Sequence, residues 1–396
     1  MKRIRHLLCI AVVCLLSAFA IASYMIDGMQ RLALWICVPS SAILAFLAFP
    51  EIKATAYLKL QVLLYLWIAF TALFAIDKAA ASGQISRIIV CFLAIFSFSQ
   101  IAKEYSMVKW LYVVYIILYF SMMYYARTHI LDIEFDYSEE RLGDEKLNAN
   151  MIAYCTFFIT FVIFIMDGLV SKKWLKVVFR WLFLLSPIWS FAAAILTSSR
   201  QVMIIQAPLI VLLFYVRYIK NRSRSTRLLF IIISIFLASL LAAKFSSIYE
   251  GSYLSERNQE SYMEDSRITM IKDALSVGFS HPLVGVGPGC FGIFKYGRSF
   301  SHCNYVELFA NSGFFAMLLC IIMYGRFIII QWKRYNQYKD SWFLVFLIFG
   351  IMYAVDNVFY VFYSSPWLIA FFFLVIAHSE HYYSQYMLKQ STQSLV

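Results

Sequence analysis

Several short polar stretches, set in otherwise apolar sequence, carry residue types that can do chemistry. Near the middle of the chain Thr197-Ser198-Ser199-Arg200-Gln201 interrupts a long apolar run. An Arg beside hydroxyls and an amide offers a planar fork of donors suited to bidentate phosphate binding. Equally, an Arg at a membrane surface can snorkel its guanidinium to lipid headgroups. Pro187 and Pro208 flank the stretch and can kink the helices on either side. Downstream, Ser266-Arg267 opens the stretch 267–277, in which Ile268, Ile271 and Leu275 share one helical face. Near the N-terminal end of such a helix, Arg267 opposes the helix dipole, and an anionic partner would relieve it. A loop salt bridge with Glu264 or Asp265 is the other reading.

The stretch His281-Pro282-Leu-Val-Gly285-Val-Gly287-Pro288-Gly289-Cys-Phe-Gly292 demands tight turns. No Gly-Lys-Ser/Thr follows it, so it is not a P-loop. It shapes the backbone that leads to the next motif, with its glycine amides open to a secondary role as phosphate donors. His281, ahead of Pro282, reads as a turn residue. The next motif is Ser301-His302-Cys303-Asn304-Tyr305-Val-Glu307-Leu-Phe-Ala-Asn311-Ser-Gly313, which runs into an apolar segment. His302 then sits at the N-terminal mouth of a helix, with Asn304 and Glu307 within about one turn. A neutral His there can act as general base on a hydroxyl; a capping or interfacial His is the alternative. No second His or acid stands at helical spacing from His302, so neither a metal nor another cofactor is expected.

Composition decides what must position these residues. Of 396 residues, 62% are hydrophobic and only 14% charged, more apolar than one water-soluble core of this size could hide. The net charge of +12 lies in short Lys/Arg clusters between apolar runs, which is positive-inside patterning rather than a nucleic-acid footprint. The fold class expected is an all-α polytopic membrane protein, with about 12 transmembrane helices over 7–26, 32–49, 57–76, 88–102, 107–125, 151–169, 180–198, 201–216, 228–243, 304–324, 341–361 and 365–378. The first run, with Ala18-Phe19-Ala20 near its end, also has signal-peptide character, and an uncleaved first span is expected.

Clusters at Lys2–Arg5, Lys172–Arg180, Arg217–Arg227 and Arg326–Lys339 place both termini in the cytoplasm. The segments expected are five helices over 1–125, an acidic extracytoplasmic loop over 126–150, four helices over 151–243 with an outer hairpin tip at 197–201, a large extracytoplasmic catalytic loop over 244–303, three helices over 304–378 and a cytoplasmic tail over 379–396. The loop 126–150 holds seven acids against three bases, a solvated face or a surface that steers a partner. Cys290 and Cys303 fall on the outer side, where they could pair in an oxidising compartment.

In order and on one face, these motifs resemble the O-antigen ligase/polymerase superfamily of bacterial polysaccharide assembly. The residues that carry the resemblance are Arg141-Leu-Gly…Asn148-Ala-Asn150, Thr197-Ser-Ser-Arg200, Ser266-Arg267, the Gly285-to-Gly289 stretch and Ser301-His302-Cys-Asn304-Tyr305-Val-Glu307. The resemblance implies a metal-independent, inverting glycosyltransferase at the outer face of the bacterial cytoplasmic membrane. Its donor would be an undecaprenyl-diphosphate-linked oligosaccharide, and the other partners implied are an acceptor glycan, membrane lipids, a flippase and a chain-length regulator. It assigns the diphosphate to Arg200 and Arg267 and the base to His302, with Ser199, Asn150, Asn304, Tyr305 and Glu307 in support. Ligases of the superfamily often carry a second His before the Asn, where this chain has Cys303. The Gly-Val-Gly-Pro-Gly stretch also looks more like repeat-unit polymerases, so a polymerase is expected ahead of an O-antigen ligase. A lipid or saccharide transporter is the rival from another class, but the apolar runs lack the mid-membrane charges transport favours.

Overall fold

A backbone surrounded by hydrocarbon must satisfy its own N–H and C=O groups, so the apolar runs of this chain become helices. The computed structural model describes residues 2–26, 28–52, 55–131, 136, 142–143, 147–199, 202–233, 250, 266–294 and 300–393. In order, the helices are α1 (Lys2–Met25), α2 (Gln30–Ala48), α3 (Ala56–Thr71), α4 (Lys78–Ile101), α5 (Tyr105–His129), α6 (Ala149–Leu169), α7 (Lys173–Leu184), α8 (Ser186–Thr197) and α9 (Ala207–Phe214). There follow α10 (224–233), α11 (Ser266–Ser280), α12 (Phe291–Phe294), α13 (Asn304–Tyr338), α14 (Ser341–Asp356) and α15 (Pro366–Gln393). Single π-turns, Val202–Gln206 and Tyr215–Ile219, bracket α9.

The protein is an all-α polytopic membrane protein. Among the described residues seven helices are long and apolar enough to cross a membrane, or eight if α7 and α8, bent by 46°, form one span. The expected apolar runs fall on helical stretches wherever they are described, 234–243 lying outside the described residues, and the count of twelve crossings remains a reading of the sequence. Several ends differ from expectation. Helix α5 runs to His129 and absorbs the start of the acidic loop, and α14 stops at Asp356 rather than near 361. Helix α15 continues to Gln393, with His378 and Ser379 buried, so most of the expected tail is helix.

One compact unit comprises Met1–Val114, Tyr262–Gln331 and Tyr353–Val396. Within it α1 packs on α2, α2 on α4, and α4 on α15. Small residues let α2 approach α4: Ala42 and Ala45 are buried, and the hydroxyls of Ser41 and Ser97 meet at 2.9 Å. The Asp77 carboxylate caps α4, accepting from the N–H groups of Ala79 and Ala80.

Helix α13 is not one straight span. The Asn304 side-chain amide lies 3.4 Å from Cys320 Sγ, although sixteen residues of continuous helix would separate them by about 24 Å. Gly313, at φ 79 and ψ 177, reverses the chain, so that a stub over 304–312 lies back along 314–338. The reversal frees carbonyls that a continuous helix would have bonded, and neighbours take them up. Val286 N–H donates to Ala310 O and Gly287 N–H to Asn311 O, both at 2.9 Å. Trp67 Nε1 donates to Ser312 O, and Phe314 N–H donates to Pro282 O, each at 2.8 Å. The expected span 304–324 is therefore corrected to a stub and a separate crossing helix.

The second unit comprises Tyr115–Ser261 and Trp332–Met352. Its centre is α6, apolar on every side and buried along almost its whole length. Helices α7 and α8 pack on it. Near the end of α6, Asp167 accepts from Arg180 and pairs with Arg217 at 3.3 Å, while the Arg217 guanidinium lies 4.0 Å over the Phe164 ring. Pro187 follows the α7–α8 bend, as expected, and Pro208 stands just after the first π-turn, at the start of α9.

A Cβ at position 313 would lie 2.0 Å from Leu283 O, at a φ that disfavours any side chain. Gly313→Ala is expected to lose at least about 2 kcal/mol, read as a lower melting temperature of the detergent-solubilised protein. Gly325, in the helix after the reversal, has nothing within 4 Å of such a Cβ. Gly325→Ala should be neutral or gain up to about 1 kcal/mol. A wild-type melting temperature for Gly313→Ala would contradict the reversal.

Candidate functional site

His302 lies two residues before the stub, at its end away from the reversal. It is half-buried and adopts φ 60, a left-handed conformation that a non-glycine residue holds only when its surroundings impose it. The surroundings are specific. Ser301 N–H donates to Glu307 Oε2 at 2.6 Å, Ser301 Oγ donates to Cys303 O at 3.2 Å, and Asn304 N–H donates to Asn357 O at 2.8 Å. The His302 ring packs edge-on against Phe300, centroids 4.4 Å apart, and Phe300 packs on Tyr360 at 5.7 Å.

Asn304 and Tyr305, expected in supporting roles, fasten this segment to the end of α14 and the turn after it. Asn304 Oδ1 accepts from the N–H groups of Phe362 and Tyr363, at 2.9 and 3.0 Å, and the Tyr305 hydroxyl donates to Ala354 O at 2.8 Å. That turn is itself tied down: Tyr324 donates to Asn357 Oδ1, Tyr65 to Tyr363 O, and the Gln84 amide to the Tyr363 hydroxyl. Sequence reasoning missed Asn357 and Tyr363. The polar pair Asp356-Asn357 inside an apolar run was the available signal.

Glu307 is buried, and both its oxygens are engaged, one by Ser301 N–H and the other by Asn311 Nδ2 at 2.7 Å. Asn311 Oδ1 accepts from Phe291 N–H at 2.8 Å, so Asn311 bridges Glu307 to the glycine-rich turn. The turn itself differs from expectation. Gly285 N–H is bonded to His281 O and Gly287 N–H to Asn311 O, so these two amides hold the fold and are not open to a phosphate. Their left-handed φ values, 66 and 107, serve close approach: a Cβ on Gly287 would meet Ala75 Cα at 2.4 Å. His281 is a turn residue, its ring edge-on to Phe294. Cys290 and Cys303 are buried free thiols, and burial pushes both above the ordinary thiol range.

Arg267 is the second residue of α11, in the first turn as its position in the sequence implied. The buried seam of α11 is Ala274, Val277 and Gly278, with Ile268, Ile271 and Leu275 only half-buried. Gly278 sits there because a Cβ would meet the Phe309 ring of the stub at 2.4 Å. The helix of Arg267 and the stub behind His302 thus pack directly together.

In the second unit, α8 ends at Thr197, Ser198 turns left-handed at φ 46, and Val202 N–H donates back to Ser199 O at 3.2 Å. Arg200 and Gln201 of the expected hairpin tip lie outside the described residues. Ser199 is 3% exposed, with a hydroxyl that meets no hydrogen-bond partner among the described residues. The Gln206 amide, on the π-turn after the tip, donates to Ser190 Oγ and Thr156 O, each at 3.0 Å, and also to the Thr160 hydroxyl. Leu142 N–H donates to Leu196 O at 2.6 Å, which brings Leu142-Gly143 onto the end of α8. Gly143 is required where it passes Ala149, whose N would lie 2.6 Å from a Cβ. Asn150 is buried in the first turn of α6, behind the Asn148 cap. Arg141 lies outside the described residues. One unit thus gathers His302, Asn304, Tyr305, Glu307 and the helix of Arg267, and the other gathers Ser199, Asn150 and the tip.

Asn304→Ala would leave the N–H groups of Phe362 and Tyr363 buried without acceptors. The expected cost is about 2–5 kcal/mol, with lower accumulation in membranes and a lower melting temperature. An unchanged melting temperature would mean that the turn after α14 does not depend on this amide.

Residues 185–321 match the family described as O-Antigen ligase. A search of curated proteins finds no match to the chain. The matched stretch holds α8, the tip, α11, the glycine-rich turn and the whole His302 motif. It supports an O-antigen ligase or polymerase-like function, that of a glycosyltransferase-like membrane enzyme whose family implies a lipid-linked glycan as substrate. On a chain built of membrane helices, the match over 185–321 supports the O-antigen ligase/polymerase superfamily.

Proposed function

We propose that this protein polymerises undecaprenyl-diphosphate-linked oligosaccharide repeat units into O-antigen, capsular or exopolysaccharide at the outer face of the bacterial cytoplasmic membrane. The single observation that carries the reading is the placement of His302. It stands in a constrained left-handed conformation at the mouth of a helix stub, within the segment that matches the family. A helix N-terminus favours the neutral imidazole, the form able to accept a proton. In the proposed reaction His302 takes the proton of an acceptor sugar hydroxyl as its oxygen attacks the anomeric carbon. The bond from that carbon to the diphosphate breaks with inversion, and the electron pair leaves with the diphosphate. Arg200 and Arg267 would bind that diphosphate and stabilise the charge it gains. The diphosphate leaving group supplies the driving force, so neither a metal nor a nucleotide enters the scheme.

The membrane frame of the proposal is the one the charge clusters imply: both termini cytoplasmic, twelve crossings, and the long loop 244–303 outside. Transfer of finished glycan to an acceptor, the ligase reaction, is the second reading, and the description of the matched family favours it. Polymerisation is preferred because Cys303 stands where ligases of the superfamily often carry a second His.

The test is the size profile of surface and lipid-linked glycan in a deletion strain complemented with wild type or a variant. Glycan stalled at one repeat unit in the deletion, with long chains restored by wild type alone, is the expected result. Full-length polymer held on the lipid carrier and absent from its acceptor would make the protein the ligase. His302→Ala should lower transfer by about 10²–10⁴ while the protein still accumulates in the membrane. Arg200→Ala and Arg267→Ala should each lower it by about 10²–10³, and Arg200→Lys should stay severely impaired if the contact is bidentate. Normal polymer from His302→Ala would remove the proposed base.

A further inference from the structure

We propose that Asn311 is a positioning residue for His302, acting through Glu307 and set by the glycine-rich turn. The inference rests on the reading of His302 as the base, and its test separates the two. Three hydrogen bonds form a continuous chain. Phe291 N–H donates to Asn311 Oδ1 at 2.8 Å, Asn311 Nδ2 donates to Glu307 Oε1 at 2.7 Å, and Ser301 N–H donates to Glu307 Oε2 at 2.6 Å. Ser301 precedes His302, so the last bond holds the Phe300–Ser301 peptide, one peptide before the left-handed residue. Asn311 and Ser301 are fully buried and Glu307 nearly so, where low local dielectric strengthens each bond.

The chemistry at position 311 is specific. Phe291 supplies only a donor and Glu307 here accepts, so the residue between them must accept on one side and donate on the other. Asn does both at once. The Asn311 backbone carries a second link, because its carbonyl accepts from Gly287 N–H at 2.9 Å. Position 311 therefore reads the glycine-rich turn through both backbone and side chain, and passes that geometry to His302 through Glu307. A base must lie within hydrogen-bond reach of the proton it removes, and a misplacement of about 1 Å costs roughly 10² in rate.

Asn311→Asp is the discriminating variant. Its carboxyl would face the Glu307 carboxylate, and two such groups sharing a site hold one proton between them until the pH is well above the ordinary carboxylate range. While that proton is held, the variant can donate to Glu307 as Asn does; once it is lost, the two carboxylates repel. The other groups facing the pair are Tyr363 from the turn after α14, Arg87 of α4 near that tyrosine, and Cys303 beside His302. Among these there is no further carboxylate.

The experiment measures glycosyl transfer from a lipid-diphosphate-linked oligosaccharide by purified wild type, Asn311→Asp and Asn311→Ala across pH, with melting temperatures at each pH. The ratio of Asn311→Asp to wild-type kcat should be within about threefold of one at the acid end and fall at least about tenfold as pH rises. Asn311→Ala should lose about 10² in kcat at every pH, with donor KM within about twofold of wild type. A flat ratio, or a wild-type kcat for Asn311→Ala, overturns the proposal, as does a loss that follows the melting temperature. Hydrogen exchange over 300–303 gives a readout independent of activity, and should quicken by at least about tenfold in Asn311→Ala. If wild type fails to use the donor, the proposed reaction falls, and the exchange result alone decides whether Asn311 holds this segment.

Discussion

A chain that reverses direction among apolar helices must find partners for every backbone group the reversal frees, and the turn at Gly313 depends on that requirement. Four residues there, Ala310, Asn311, Ser312 and Phe314, lose or lack their helical partners and are taken up by Val286, Gly287, Trp67 and Pro282. Satisfying those groups places the glycine-rich turn, because its amides must reach the stub. It also selects glycine at 285, 287 and 313, where a side chain would strike backbone atoms at 2.0–2.5 Å. The turn is thus a structural counterpart of the stub before it is anything else, and the amides of Gly285, Val286 and Gly287 are committed to the protein.

The same requirement accounts for the polar residues around His302. Asn304 supplies the acceptor for two consecutive amides of the turn after α14, and Glu307 supplies the acceptor for Ser301 N–H. Neither is free to serve as a ligand to a substrate or an ion. They hold His302 in a conformation that a non-glycine residue would leave if the restraints were removed. Among the described residues no three His, Cys, Asp or Glu side chains gather as metal ligands.

The second unit meets its own constraint differently. Its helical hairpin is held from within by the Gln206 amide, which bonds Ser190 on α8 and Thr156 and Thr160 on α6. At the other end Asp167 joins an exposed Arg180 and a largely covered Arg217, so that removing Asp167 would leave the Arg217 charge without its carboxylate. Beyond the Gln206 contact, α8 ends ahead of Ser199, which is buried.

The amino-acid sequence by itself determined the helical membrane class, the position of most of the described helices and the first-turn position of Arg267. These follow from local properties: apolar run length, charge clusters and turn-forming residues act over a few turns of chain. It also carried the motifs that resemble the superfamily, which the match over 185–321 then supported. Only the tertiary structure decided that α13 doubles back, that Gly285 and Gly287 spend their amides on the fold, and that Asn311 and the turn after α14 brace the His302 segment. Gly313 reads as an ordinary glycine in an apolar run, since a left-handed φ leaves no trace in composition or periodicity. Asn311 and Asn357 reach partners 20 and 33 residues away, and hydrogen bonds across such separations exist only once the helices have packed.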